Sequence, residues 1–123
     1  MYYIGIDISK FKHDCAVIDD SGEIVTPSWS FTNDAKGFSQ LKLLLNSLDT
    51  ETRIGLESTG HYGMNLKLFL ESNNFSFMEF NPLLINRFVK SKSLRKTKSD
   101  SIDCMMIAHY LMTVEYKPYP SSF

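Results

Sequence analysis

Residues 2 to 8, Tyr2-Tyr3-Ile4-Gly5-Ile6-Asp7-Ile8, are apolar at both alternations except for one glycine and one aspartate. Such a run reads as a central strand covered on both faces. A second strand is predicted over about residues 13–19. Asp19-Asp20-Ser21-Gly22 then supplies a turn with Asp first and Gly fourth, and a third strand runs from Glu23 to Phe31. The period then changes. Thr32-Asn33-Asp34 offers an N-cap, and Phe38, Leu41, Leu44, Leu45 and Leu48 recur at helical spacing, predicting a helix to about Ser47. Strand four is Arg53 to Glu57, broken by Ser58-Thr59-Gly60. A second helix is expected over about residues 61–72, burying Tyr62, Leu66, Phe69 and Leu70. Strand five is Phe75 to Phe80. Asn81-Pro82 opens a short helix with Leu83, Leu84, Ile85 and Phe88 on its apolar side. Lys90 to Lys98 is polar, basic and without period, so it reads as an exposed loop. Helix returns from Ser99, with Ile102, Met105, Met106 and Tyr110 or Leu111 as its buried stripe.

The order β-β-β-α-β-α-β-α-α implies an α/β fold: a mixed five-stranded sheet with flanking helices, in ribonuclease H-like order. In that order strands one and four lie side by side and parallel. A chain of 123 residues makes one domain. Residues 1–115 are expected to form it, and 116–123 read as a linker or a cut end. With 43% hydrophobic residues and nine Phe, global disorder is excluded. A net charge of −1 excludes a uniformly basic nucleic-acid binder but leaves room for a local basic stripe. Cys15 and Cys104 lack metal-ligand spacing and read as buried thiols of a reducing cytosol. Neither a signal peptide nor an apolar run long enough for a membrane span is evident, so a cytoplasmic location is expected.

Chemistry enters through the carboxylates. Ile4-Gly5-Ile6-Asp7 is echoed by Ile54-Gly55-Leu56-Glu57, so two neighbouring strands would each deliver one acid. An Asp in a buried strand is costly unless paired or bound to a metal. Asp100 and Asp103 are three residues apart. On a helix that spacing puts both on one face, about 5–6 Å apart at Cβ. If that helix crosses the sheet near the strand ends, four acids converge. Like charges so close cannot all stay ionised without a cation, and oxygen-only ligands favour Mg²⁺ or Mn²⁺. Paired ions of this kind serve in-line phosphodiester chemistry. The plainer reading is that Asp100 and Asp103 complement a helix dipole and Glu57 is solvated. Asp7 is the hardest to explain that way.

Gly5-Ile6-Asp7-Ile8-Ser9-Lys10, Glu57-Ser58-Thr59-Gly60-His61-Tyr62, Asn81-Pro82 and Lys98-Ser99-Asp100-Ser101-Ile102-Asp103 together resemble the DEDD transposases. These are bacterial insertion-sequence recombinases of the one-ten family, with an N-terminal domain similar to the RuvC Holliday-junction resolvase. The resemblance covers essentially the whole chain. It implies that Asp7, Glu57, Asp100 and Asp103 are catalytic ligands of Mg²⁺ or Mn²⁺ in DNA strand cleavage and transfer. Where the family usually has Lys-Thr-Asp and a later Ala, this chain has Lys98-Ser99-Asp100 and Cys104, both small changes. Family members continue into a C-terminal domain with a nucleophilic serine. This chain is therefore expected to hold half an active site and to be inactive alone.

The basic run Lys90, Lys92, Arg95, Lys96 and Lys98, with Arg87 before it and Lys10 just past Asp7, is the candidate phosphate-binding surface. By itself such a run is more often solvated surface. The resemblance implies DNA as partner, as transposon ends and target, and a homo-oligomer in the full-length protein at the nucleoid; it also admits guide RNA. His61 and Tyr62 are candidates for a substrate phosphate at a helix start, against cap and packing roles. His109 is expected to be structural. Two alternatives remain open: a RuvC-like resolvase that cleaves four-way junctions unaided, and a non-catalytic module that only binds nucleic acid or dimerises. The sugar-kinase and actin-like fold, whose first hairpin also starts Gly-x-Asp, needs a second phosphate loop and roughly twice this length.

Overall fold

A computed structural model describes residues 1–57, 60–91 and 103–118. The chain runs β1 (Tyr2–Ile8), β2 (Lys12–Asp19), β3 (Ile24–Thr32), α1 (Ala35–Ser47), β4 (Thr52–Glu57), a 3₁₀ turn (Gly60–Gly63), α2 (Met64–Ser72), β5 (Met78–Phe80), α3 (Pro82–Ser91) and α4 (Cys104–Thr113). The sheet order is β3-β2-β1-β4-β5. β1 pairs antiparallel with β2 and parallel with β4, and β4 pairs parallel with β5. This is the α/β, ribonuclease H-like arrangement expected from the element order, with β1 at its centre. Among the described residues no helix is long and apolar enough to cross a membrane.

Strand periodicity sorts β1 into two faces. Ile4, Ile6 and Ile8 join Val17, Ile54 and Leu56 in one cluster, covered by Phe38, Leu41 and Leu45 of α1 and Leu66 and Leu70 of α2. Each such side chain contributes about 1.5–3 kcal/mol by leaving water. The opposite face presents Gly5 and Asp7, and α4 lies across it. Phe80, Ile85, Val89, Ile107 and Leu111 form the second cluster, which locks α3 against α4.

Capping explains where the helices begin. The Asp34 carboxylate accepts the Gly37 N–H at 2.9 Å to start α1. Asn81 Oδ1 accepts the Leu83 N–H at 2.9 Å ahead of Pro82, the first residue of α3. After α2 the chain reverses through Asn74, at φ 62°, and β5 starts only at Met78 rather than at Phe75.

Three burial expectations fail for one reason: tertiary neighbours, not local period, choose the covered face. Tyr62 sits in the 3₁₀ turn and is 39% exposed; the helix proper starts at Met64. Leu83 and Leu84 are exposed because α3 meets α4 through Ile85 and Val89. The buried stripe of α4 is Cys104, Ile107, Ala108 and Leu111, one step round from the one expected. Lys90 is helical, the last turn of α3, not loop.

α4 sits so low on the sheet that a Cβ at Gly5 would overlap the Cys104 carbonyl oxygen and come 2.5 Å from the Ala108 nitrogen. Both are backbone atoms that cannot move without moving the helix. Gly22, at φ 87°, has open space around it. Gly5→Ala is therefore expected to cost about 3 kcal/mol or more, and Gly22→Ala about 1–2 kcal/mol of left-handed strain. Urea unfolding of the two variants checks the order; equal losses would contradict this packing.

Candidate active site

The strand pairing that buries the core also assembles the acids. β1 and β4 run in register through Ile4 with Ile54, Gly5 with Gly55 and Ile6 with Leu56. One residue further each strand delivers its carboxylate, Asp7 and Glu57, to the face on which α4 lies. Glu57 is partly exposed, with Oε2 buried.

A third carboxylate, which the sequence reading did not single out, belongs to the group. Asp14 is the direct cross-strand partner of Asp7. Its Oδ1 accepts the Ser30 hydroxyl at 2.5 Å, which anchors it to β3. The available signal was the hairpin: once the turn after Ser9 is tight, residue numbers in paired positions add to a constant, and Asp14 falls opposite Asp7.

Asp103 arrives differently from expectation. It is not on a helical face but is the N-cap of α4, in extended conformation at φ −116° and ψ 174°. Its Oδ1 accepts the Met106 N–H at 2.9 Å. Capping wins because the first turn has free N–H donors that a side-chain carboxylate satisfies. The shared helical face proposed for Asp100 and Asp103 therefore fails at Asp103, and Asp100 lies outside the described residues. Among the described residues, no three His, Cys, Asp or Glu side chains close on one point tightly enough to hold an ion.

The electrostatics still join these groups. Asp7 has its pKa raised to about 6, first by burial and then by the charges of Glu57, Asp14 and Asp103. The Cys104 thiol, 3.3 Å from the Ser28 hydroxyl, is also pushed up, first by burial; Asp103, Asp14 and Asp7 add to the rise. Cys15 and Cys104 are both buried free thiols, as expected.

Of the candidate basic residues, Lys10 is exposed on the turn after β1, while Arg87 and Lys90 are exposed on α3. Lys92, Arg95, Lys96 and Lys98 lie outside the described residues. His61 is exposed, with its ring 4.8 Å from that of Tyr62.

A family profile described as a transposase, DEDD_Tnp_IS110, matches residues 4–122. A "Pilin gene-inverting protein" of Moraxella bovis is 34% identical over 112 residues, and that of Moraxella lacunata 33% over 111. Each alignment covers 88% of this chain and 33% of the relative, so the chain spans about a third of the length of these curated relatives.

The Asp7 shift fixes a pH dependence. An acid whose pKa is raised on folding favours the fold while protonated. Stability is therefore lost as pH rises from about 4, the ordinary carboxyl value, through about 6. Asp7→Asn should thus stabilise the metal-free chain at pH 7.5 by about 1–2 kcal/mol, discounted for partial exposure, and hardly at pH 3.5. Thermal melts at both pH values test this; a gain that does not grow with pH would contradict the like-charge environment.

Proposed function

Because the chain belongs to the IS110-family transposases, we propose that it carries the acidic centre with which a DNA transposase or recombinase cleaves and transfers strands. The observation that supports this most is the placement of carboxylates from β2, β4 and the start of α4 around partly buried Asp7, which together with burial hold its carboxyl above the usual range. Such a set of like charges is unfavourable in an isolated fold. The described carboxylates do not by themselves close on one point, and a divalent cation drawing them together with Asp100 would relieve the repulsion. All its donors are oxygens, which suits Mg²⁺ or Mn²⁺ rather than Zn²⁺.

Asp7 and Glu57 would be the two rigid ligands, since backbone pairing of adjacent strands holds their stems. Asp103 commits one oxygen to Met106 and has the other for a ligand role, and Asp100 would complete the set. A bound cation supplies charge neutralisation and polarisation of the phosphodiester. The protein's own share is positioning. Lys10, Arg87 and Lys90, with Lys92, Arg95, Lys96 and Lys98, would hold phosphates and draw a polyanion toward an acidic centre without reading its sequence.

The DNA partners in this reading are the element's ends and its target, and a guide RNA on the same basic surface is compatible with it. The relatives named for inverting a pilin gene support rearrangement of DNA segments as the reaction class. Catalysis is placed in a chain longer than this one, in oligomeric form and with a serine contributed from outside these residues.

Calorimetric titration with Mn²⁺ tests the centre directly. Binding is expected at pH 8, weakening toward pH 5 as Asp7 takes up its proton. Asp7→Ala and Glu57→Gln should each lower affinity by more than about tenfold. Unchanged affinity in Asp7→Ala would rule the centre out.

A further inference from the structure

Beyond Asp7 and Glu57 the chain leaves the sheet in two turns, 9–11 and the 3₁₀ turn Gly60–Gly63. Asn33, just past β3, ties them together. Its side-chain Nδ2 donates to the Lys10 carbonyl at 3.0 Å and to the Tyr62 carbonyl at 3.3 Å. Its backbone N–H donates to the Phe11 carbonyl at 2.9 Å. Beneath lies His13, fully buried. Its Nδ1 accepts the Ser9 N–H at 3.2 Å, which leaves the neutral ring's proton on Nε2, and its side chain interacts with that of Asn33. One amide thus fixes both turns over a buried imidazole.

What this clamp presents is aromatic. Phe11 is 76% exposed, with the Lys10 ammonium 5.1 Å from its ring centre. Tyr62 is 39% exposed and carries the His61 ring beside it. A ring as exposed as Phe11 adds little to the core, and a lone one would need no explanation. Here the two turns, their backbones joined by a single side chain, form a ledge that carries two exposed aromatics, a cation and an imidazole and follows Asp7 and Glu57 in the chain.

We propose that this ledge is a stacking platform for unpaired DNA bases, holding a single strand beside the acidic centre. Phe11 and Tyr62 offer ring faces, and Lys10 meets the adjoining phosphate. Stacking suits the place because carboxylates repel the phosphate backbone, whereas base–ring contact needs no charge and tolerates any sequence. Ring faces of bases are accessible only when unpaired, so the occupant is single-stranded. The inference rests on reading Asp7 and Glu57 as the strand-cleaving centre.

Fluorescence anisotropy with a short labelled oligothymidylate, a duplex of equal length and the RNA analogue tests it on this chain. Phe11→Ala and Tyr62→Ala are each expected to weaken the single DNA strand about tenfold, the scale of one lost base–ring stack, and duplex less than about twofold. Phe11→Trp should restore single-strand binding, which a merely structural position would not require. Unchanged single-strand affinity, equal losses on duplex, or markedly tighter binding of RNA would each overturn the proposal. Asn33→Ala should reduce single-strand binding as much as losing both rings; because it could also unfold the turns, the two exposed-ring variants decide. Mn²⁺ titration of Phe11→Ala and Asp7→Ala separates this proposal from the acidic centre. Intact metal binding with lost stacking in Phe11→Ala supports the platform. Metal binding that survives Asp7→Ala removes the acidic centre while leaving the stacking result to stand or fall by itself.

Discussion

The in-register parallel pairing of β1 with β4 is the constraint on which the rest depends. It sets Gly5 beside Gly55, and just past the last paired position, Ile6 with Leu56, it brings Glu57 near enough for its charge to act on Asp7. The glycines and the acids are one device. The bare position at Gly55 admits the Phe80 ring and the Leu111 side chain, and without a side chain at Gly5 the first turn of α4 can approach the sheet backbone closely. That approach brings its N-cap, Asp103, within electrostatic reach of Asp7. A larger residue at Gly5 would lift the helix and carry Asp103 away from Asp7.

A second consequence is electrostatic. Burial and three like charges all oppose ionisation of Asp7, so the metal-free site works against the fold near neutral pH. Two of the three neighbours are nevertheless pinned: Asp14 by the Ser30 hydroxyl, Asp103 by the Met106 N–H. The N-terminus of α4 also offers partial positive charge to Asp103, which lowers the cost of holding it there. The fold thus tolerates repulsion between groups that it holds in place.

The turns beyond the acids follow the same logic on a smaller scale. Asn33 satisfies three backbone groups from two loops, two as donor from its side chain and one from its own N–H. Loops that would otherwise fray are thereby given fixed positions over buried His13. The exposed aromatic and cationic side chains on these loops are carried by tethered backbone.

The sequence by itself determined the element order, the central β1, the adjacency of strands one and four, and the Asp7–Glu57 pair, because period-two and period-3.6 patterns and the Gly-x-acid echo are local signals. It also placed the caps at Asp34 and Asn81, since capping needs only neighbouring N–H groups. Only tertiary structure decided that Asp103 caps α4 rather than sharing a helical face, that Asp14 stands opposite Asp7, and that Leu83, Leu84 and Tyr62 stay in water. Those outcomes turn on hairpin register, on where a helix starts, and on which neighbour covers which face. The covered faces depend on neighbours far apart in the chain. The Asp103 cap and the Asp7–Asp14 pair are short-range, but hydrophobic period alone fixes neither a helix's first residue nor a hairpin's register.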